Sequence, residues 1–85
     1  MLTEKNLLDM IEVITTAIEI HAREEEFFRS SSQATSDEAA KALLLEIAQD
    51  LCDYREKLEG RRNKLRSQLD DLEAEKKKQQ AARLK

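Results

Sequence analysis

His21 and Glu25 are the residues of this chain best placed to do chemistry. They stand four residues apart, a spacing that sets two side chains one turn above each other on a helix, and they offer an imidazole nitrogen and a carboxylate. Such a pair is half of a metal site. A two-fold axis passing this turn would bring two imidazoles and two carboxylates together, a donor set suited to zinc or iron. With no metal, His21 and Glu25 pair with each other, or Glu25 turns to solvent at the helix end. Glu19, Glu24, Glu26, Asp50 and Asp53 flank the same stripe and read as ordinary solvated carboxylates. Cys52 is the single cysteine, so the sequence excludes an internal disulfide and a cysteine-rich metal site, and the residue reads as a reduced thiol beside the core stripe.

Other enzymatic chemistries lack their parts. With one His, one Cys, one Gly and no Pro there is no glycine loop to cradle phosphate, no dinucleotide fingerprint and no nucleophile elbow. The basic tract Lys76-Lys77-Lys78, with Arg83 and Lys85, has no interleaved aromatic residues, and the chain carries a net charge of −3. It therefore reads as a solvated helix end rather than a nucleic-acid contact. Past Leu72 it also lacks the apolar face that a membrane-surface helix requires. No apolar run approaches the roughly 18 residues that span a bilayer. Met1 opens an acidic amphipathic segment rather than a basic, apolar signal, so a cytoplasmic location is expected.

The elements that must position these residues are helices. A composition of 39% charged residues with no Pro and one Gly suits long solvated helices far better than a sheet. Leu7, Ile11, Ile14, Ile18, His21, Glu25 and Phe28 recur at spacings of three and four, one face of an amphipathic helix from about Thr3 to Ser31. Thr3, ahead of Asn6, suits its N-terminus, and the small polar cluster Ser30 to Ser36 is expected to end it. Ser36 is then the expected cap of a second helix, with Asp37 and Glu38 in its first turn. That helix presents Ala40, Leu44, Ile47, Leu51, Tyr54, Leu58, Arg62, Leu65, Leu69 and Leu72 on one stripe. The stripe keeps its phase across Gly60, so the reading is a continuous helix despite a cost of about 1 kcal/mol for glycine relative to alanine.

The lengths are unequal. At about 1.5 Å per residue the first helix spans roughly 43 Å and the second, taken to Gln80, roughly 65 Å. Antiparallel packing then leaves the part beyond about Arg66 without a partner in its own chain, and Leu65, Leu69 and Leu72 are expected to be covered by another subunit. An 85-residue chain is also near the size at which one small core barely offsets chain entropy. Charge is uneven as well: residues 1–54 carry a net −8 and residues 55–85 a net +5, a dipole suited to head-to-tail association or to an acidic partner.

Two stretches resemble a known family. Ala17-Ile18-Glu19-Ile20-His21 followed by Glu26-Phe27-Phe28 resembles the first helix of rubrerythrins and other small ferritin-like proteins, Ala-Ile-Glu-x-Glu and then Glu-Phe-Tyr. Lys41-Ala42-Leu43-Leu44, Ile47-Ala48-Gln49-Asp50, Tyr54 and Leu58 resemble their second helix, which carries a Glu-x-x-His ligand pair. Order and spacing agree over roughly residues 5 to 60. In this register the first-helix ligand falls on His21, and the Glu and His of the second helix fall on Leu51 and Tyr54. The resemblance implies a four-helix bundle of which this chain supplies two helices. It also implies a di-iron centre that has been lost: Leu51 offers no donor atom, and Tyr54 is a phenol, a poor ligand until a metal draws off its proton. The Tyr54 ring is expected to fill the volume of the lost site.

The sequence thus leads to an all-α fold, a two-helix antiparallel hairpin that dimerises into a ferritin-like four-helix bundle with an extended second helix. Residues 1–66 form the hairpin and 67–85 a basic extension. The expected function is that of a non-catalytic, metal-degenerate ferritin-like protein serving as a structural or protein-interaction module. One alternative is a metal-binding or iron-oxidising protein with a site at His21 and Glu25 across the dimer. Another is a coiled-coil adaptor or chaperone-like hairpin that grips another helical protein through Leu65, Leu69 and Leu72. No cofactor is expected under the first reading, iron or zinc under the second. The expected partner is a second copy of the chain, as a homodimer or higher oligomer, with neither a membrane nor nucleic acid.

Overall fold

The computed structural model describes residues 2–83, which form two helices, α1 (Glu4–Ala34) and α2 (Glu38–Arg83), packed as an antiparallel hairpin. The body is a rod of 72 × 19 × 14 Å.

Each helix starts where a side chain can satisfy free backbone N–H groups. Thr3 has extended backbone, its hydroxyl oxygen accepts from the Asn6 N–H at 3.1 Å, and the Asn6 side chain accepts from the Thr3 N–H at 3.3 Å. This reciprocal box closes two donors at once. The serine cluster does not end α1 at Ser31. The helix runs three residues further because Ser32 donates its hydroxyl to the Arg29 carbonyl at 2.6 Å, which lets a buried serine stay helical. The chain leaves the helix at Thr35, whose backbone is extended. Asp37, not Ser36, caps α2: its Oδ1 accepts from the N–H groups of Ala39 at 2.9 Å and Ala40 at 3.1 Å. A carboxylate meets the positive helix end better than a hydroxyl, which moves the start by one residue. α2 then passes through Gly60 without a positive φ.

The buried apolar core is small. Leu7, Ile18, Ala48, Leu58 and Leu65 form it, with Ile11, Ile14, Leu44, Ile47 and Leu51 half-buried around them. The stretch of α2 without an intrachain partner is shorter than the length arithmetic implies. Leu65 is only 9% exposed. Leu72 lines a shallow cleft with Leu2 and Leu7, and the Lys76 ammonium donates to Glu4 at 3.1 Å. The three added residues of α1, Leu2 ahead of its cap, and the long Lys76 stem together carry the hairpin to Lys76 rather than Arg66. Of the three leucines assigned to another subunit, Leu65 is covered by its own chain, while Leu69 and Leu72 stay half-buried.

Candidate functional site

His21 and Glu25 are one turn apart, as their spacing requires, yet they engage different partners. The His21 ring meets Tyr54 edge to face, with centroids 5.1 Å apart and planes at 86°. Its Nδ1 has no hydrogen-bond partner and lies 3.7 Å from a Glu24 carboxylate oxygen. Glu25 turns instead to Arg55. The Arg55 Nε and Nη2 donate to Glu25 Oε2 at 3.3 and 3.1 Å, and Arg29 donates to Oε1 at 3.3 and 3.2 Å. Arg55 reaches on to Glu59 Oε1 at 3.0 Å.

Burial pushes the Glu25 carboxyl up, but the hydrogen bonds from Arg55 and Arg29 and their charges outweigh it and hold the group below its ordinary value. Both carboxylate oxygens are therefore occupied by guanidinium groups, which compete with any cation for the same lone pairs. Among the described residues no group of three or more His, Cys, Asp or Glu side chains converges on a point. Of the positions to which the resemblance assigns ligands, Leu51 is half-buried, and Tyr54 is 50% exposed rather than filling a core volume. The buried line of α2 runs through Ala48, Leu58 and Leu65, which leaves the Tyr54 ring at the rim against His21.

Arg55 is the residue that reading the sequence missed. A carboxylate on an apolar stripe needs a counter-ion from the facing helix, and Arg55, one residue past Tyr54, is the base at that level. Cys52 lies beside this cluster, 3.7 Å from an Arg55 nitrogen. Burial raises its thiol pKa, the Glu25 and Glu56 charges add to this, and Arg55 opposes it.

These contacts give the hairpin two unlike faces. Tyr54 and Arg55 are adjacent on α2 and so point about 100° apart. On the Arg55 side, ion pairs join Glu25, Arg29, Arg55 and Glu59, and Arg62 Nη1 lies 3.5 Å from the Thr15 hydroxyl. On the Tyr54 side large apolar side chains are exposed, bordered along α2 by the charged residues Glu46, Asp50, Asp53, Lys57, Arg61 and Lys64. Met10, Ile20 and Leu43 are exposed there, Val13 is 69% exposed and Phe27 64%, with the Phe27 ring edge-on to Phe28 at 5.4 Å.

No helix among the described residues is long and apolar enough to cross a membrane. Comparison of the chain with protein-family models, curated proteins and solved structures finds no match in any of the three.

Proposed function

We propose that this chain is a non-catalytic helical module, a ferritin-like half-bundle without its metal chemistry, that acts as a structural or protein-interaction unit by pairing with a second copy of itself. The observation that carries the reading is the uncovered apolar face of Met10, Val13, Ile20, Phe27, Leu43 and Tyr54. Large side chains aligned on one face of a rod with a five-residue buried core mark an association surface, since a monomer gains nothing by displaying them. Two such faces in contact make a four-helix bundle. The loss of chemistry is supported by Leu51 and Tyr54 at the family's ligand positions, and by the two arginines that occupy Glu25.

The test is the mass in solution by sedimentation equilibrium, for the wild type and for Val13→Glu with Ile20→Glu. Twice the chain mass of 9.8 kDa, falling to one chain in the variant, is the expected result. A wild-type monomer at tens of micromolar overturns the reading, as does a chain that stays soluble only with another protein. Metal analysis after loading with ferrous iron or zinc, beside His21→Ala, separates this reading from the metal-binding one. Stoichiometric metal lost in His21→Ala would replace the module by a metal site.

A further inference from the structure

The orientation of the second copy is written on the same face. α2 carries one rim stripe that reads Glu46, Asp50, Asp53, Lys57, Arg61, Lys64, at steps of four and three, with three acids followed by three bases. All six side chains are exposed, and among the described residues none of them takes part in an ion pair. The stripe reverses sign at Tyr54–Arg55. A helix with this pattern pairs all of its charges with its own antiparallel copy, whereas a parallel copy shifted by 11 residues pairs only one set of three and an unshifted parallel copy sets like charge against like. Turned end for end about that level, Glu46 faces Lys64 of the second copy, Asp50 faces Arg61, and Asp53 faces Lys57.

α1 gives the same centre by a different route. Val13, Ile20 and Phe27 are exposed apolar residues at seven-residue spacing, the repeat of a packed seam, and they are symmetric about Ile20. End-for-end pairing sets Val13 of one copy against Phe27 of the other and Ile20 against itself. Ile20 is next to His21, and the His21 ring touches Tyr54 at 5.1 Å. The apolar centre of α1 and the charge centre of α2 therefore stand at one level of the rod. Residue 19, the midpoint of α1 (Glu4–Ala34), is close to that level, so an axis there overlaps the two α1 helices over nearly all of their length.

We infer that two copies pack face to face and antiparallel about a two-fold axis that crosses α1 at Ile20–His21 and α2 at Tyr54–Arg55. The inference rests on the self-association proposed above. It sets α1 against α1 and α2 against α2, with each acidic turn end beside the basic half of the other copy's α2. The opposite choice, an axis along the helices, brings Glu46, Asp50 and Asp53 of both copies to the same end, where like charges repel.

The experiment is a distance measurement between spin labels at Ser36→Cys in a Cys52→Ser background, by pulsed dipolar electron resonance. Ser36 is exposed at the turn, so the label leaves the interface untouched. It stands 16 residues from Ile20, and antiparallel copies put the two labels about 48 Å apart at about 1.5 Å per residue. A distance near that value is the expected result. A dimer with labels about 20 Å apart overturns the orientation while leaving self-association intact, whereas a monomer overturns both. Charge reversal gives an independent reading. Asp50→Arg is expected to weaken the dimer about tenfold and Arg61→Asp added to it to restore it, in line with paired exposed charges acting twice per dimer. Equal affinity in wild type and Asp50→Arg counts against the pairing.

Discussion

Glu25 shows how a partner from the facing helix sets the role of a single side chain. Its place on an apolar stripe, one turn from the single histidine, offers it in the sequence as a metal ligand, as the partner of His21 or as a solvated carboxylate, and in the fold it accepts hydrogen bonds from Arg55 and Arg29. That choice was not legible locally. Spacing along α1 says which residues share a turn, but the partner comes from α2, 30 residues away, and depends on the rotation of one helix against the other. The pairing has a pH signature. The Glu25 carboxyl is held below its ordinary value of 4.5, so its ionised form is favoured by folding. A depressed carboxyl contributes stability above the unfolded-state pKa and loses it as pH falls through the lower folded-state value. Glu25→Gln is thus expected to cost about 1–2 kcal/mol at pH 7, where it leaves Arg55 half-satisfied, and progressively less below pH about 4.5. Urea unfolding of both proteins at pH 7 and pH 3.5 checks this. A loss of equal size at both values would mean that shape rather than charge makes the contact matter.

At the scale of the element, most of the hairpin could be read in advance, because amphipathic period and turn chemistry are local. The α1 stripe, the Thr3 start and a second helix unbroken at Gly60 follow from side chains within a turn or two of the feature they set. The ends shifted where two local signals compete. A serine run signals a turn, yet Ser32 satisfies its own hydroxyl on Arg29, and Ser36 yields the cap to the neighbouring charge of Asp37. Gly60 offers a direct test of element stability. Its backbone is helical, and a Cβ built there meets nothing within 4 Å, so alanine adds helix propensity without a clash. Gly60→Ala is expected to stabilise the protein by about 0.5–1 kcal/mol, read as a raised melting temperature. A lower melting temperature would mean that α2 uses the glycine to bend. The end of the hairpin can be tested by truncation. Removing residues 77–85 is expected to leave the melting temperature within about 2 °C of wild type, since residues 77–83 are exposed. Removing residues 67–85 takes away Leu69, Leu72 and the Lys76–Glu4 pair and should lower it clearly. Equal melting temperatures for the two truncations would return the end of the hairpin to Arg66.

For the whole molecule, shape and charge constrain assembly together. The rod is 72 Å long, and its level of closest symmetry, at Ile20 and Tyr54, is not its middle. From that level α2 runs 16 residues back to Glu38 but 29 residues on to Arg83, about 24 Å one way and 43 Å the other. An antiparallel dimer about that level therefore cannot be a compact double rod. Its two acidic turn ends stop short, and a basic α2 end projects past each of them, giving a particle about 87 Å long with tapered tips. Parallel copies would be no longer than the single 72 Å hairpin, only thicker. Small-angle scattering separates the two by maximum dimension at equal mass, and removing residues 77–85 is expected to shorten the antiparallel particle by about 20 Å, because each tip loses the helical residues 77–83, which lie beyond the region where the two copies overlap. The same deletion shortens a parallel particle by about half as much, since both tails lie at one end. A maximum dimension near 72 Å for the full-length dimer would sink the end-for-end arrangement. An unchanged dissociation constant after the deletion is also expected. It would place the contacts that hold the copies together in the apolar face between Met10 and Phe27 and in the rim charges between Glu46 and Lys64, with the lysine-rich ends left free in solvent at either end of the bundle.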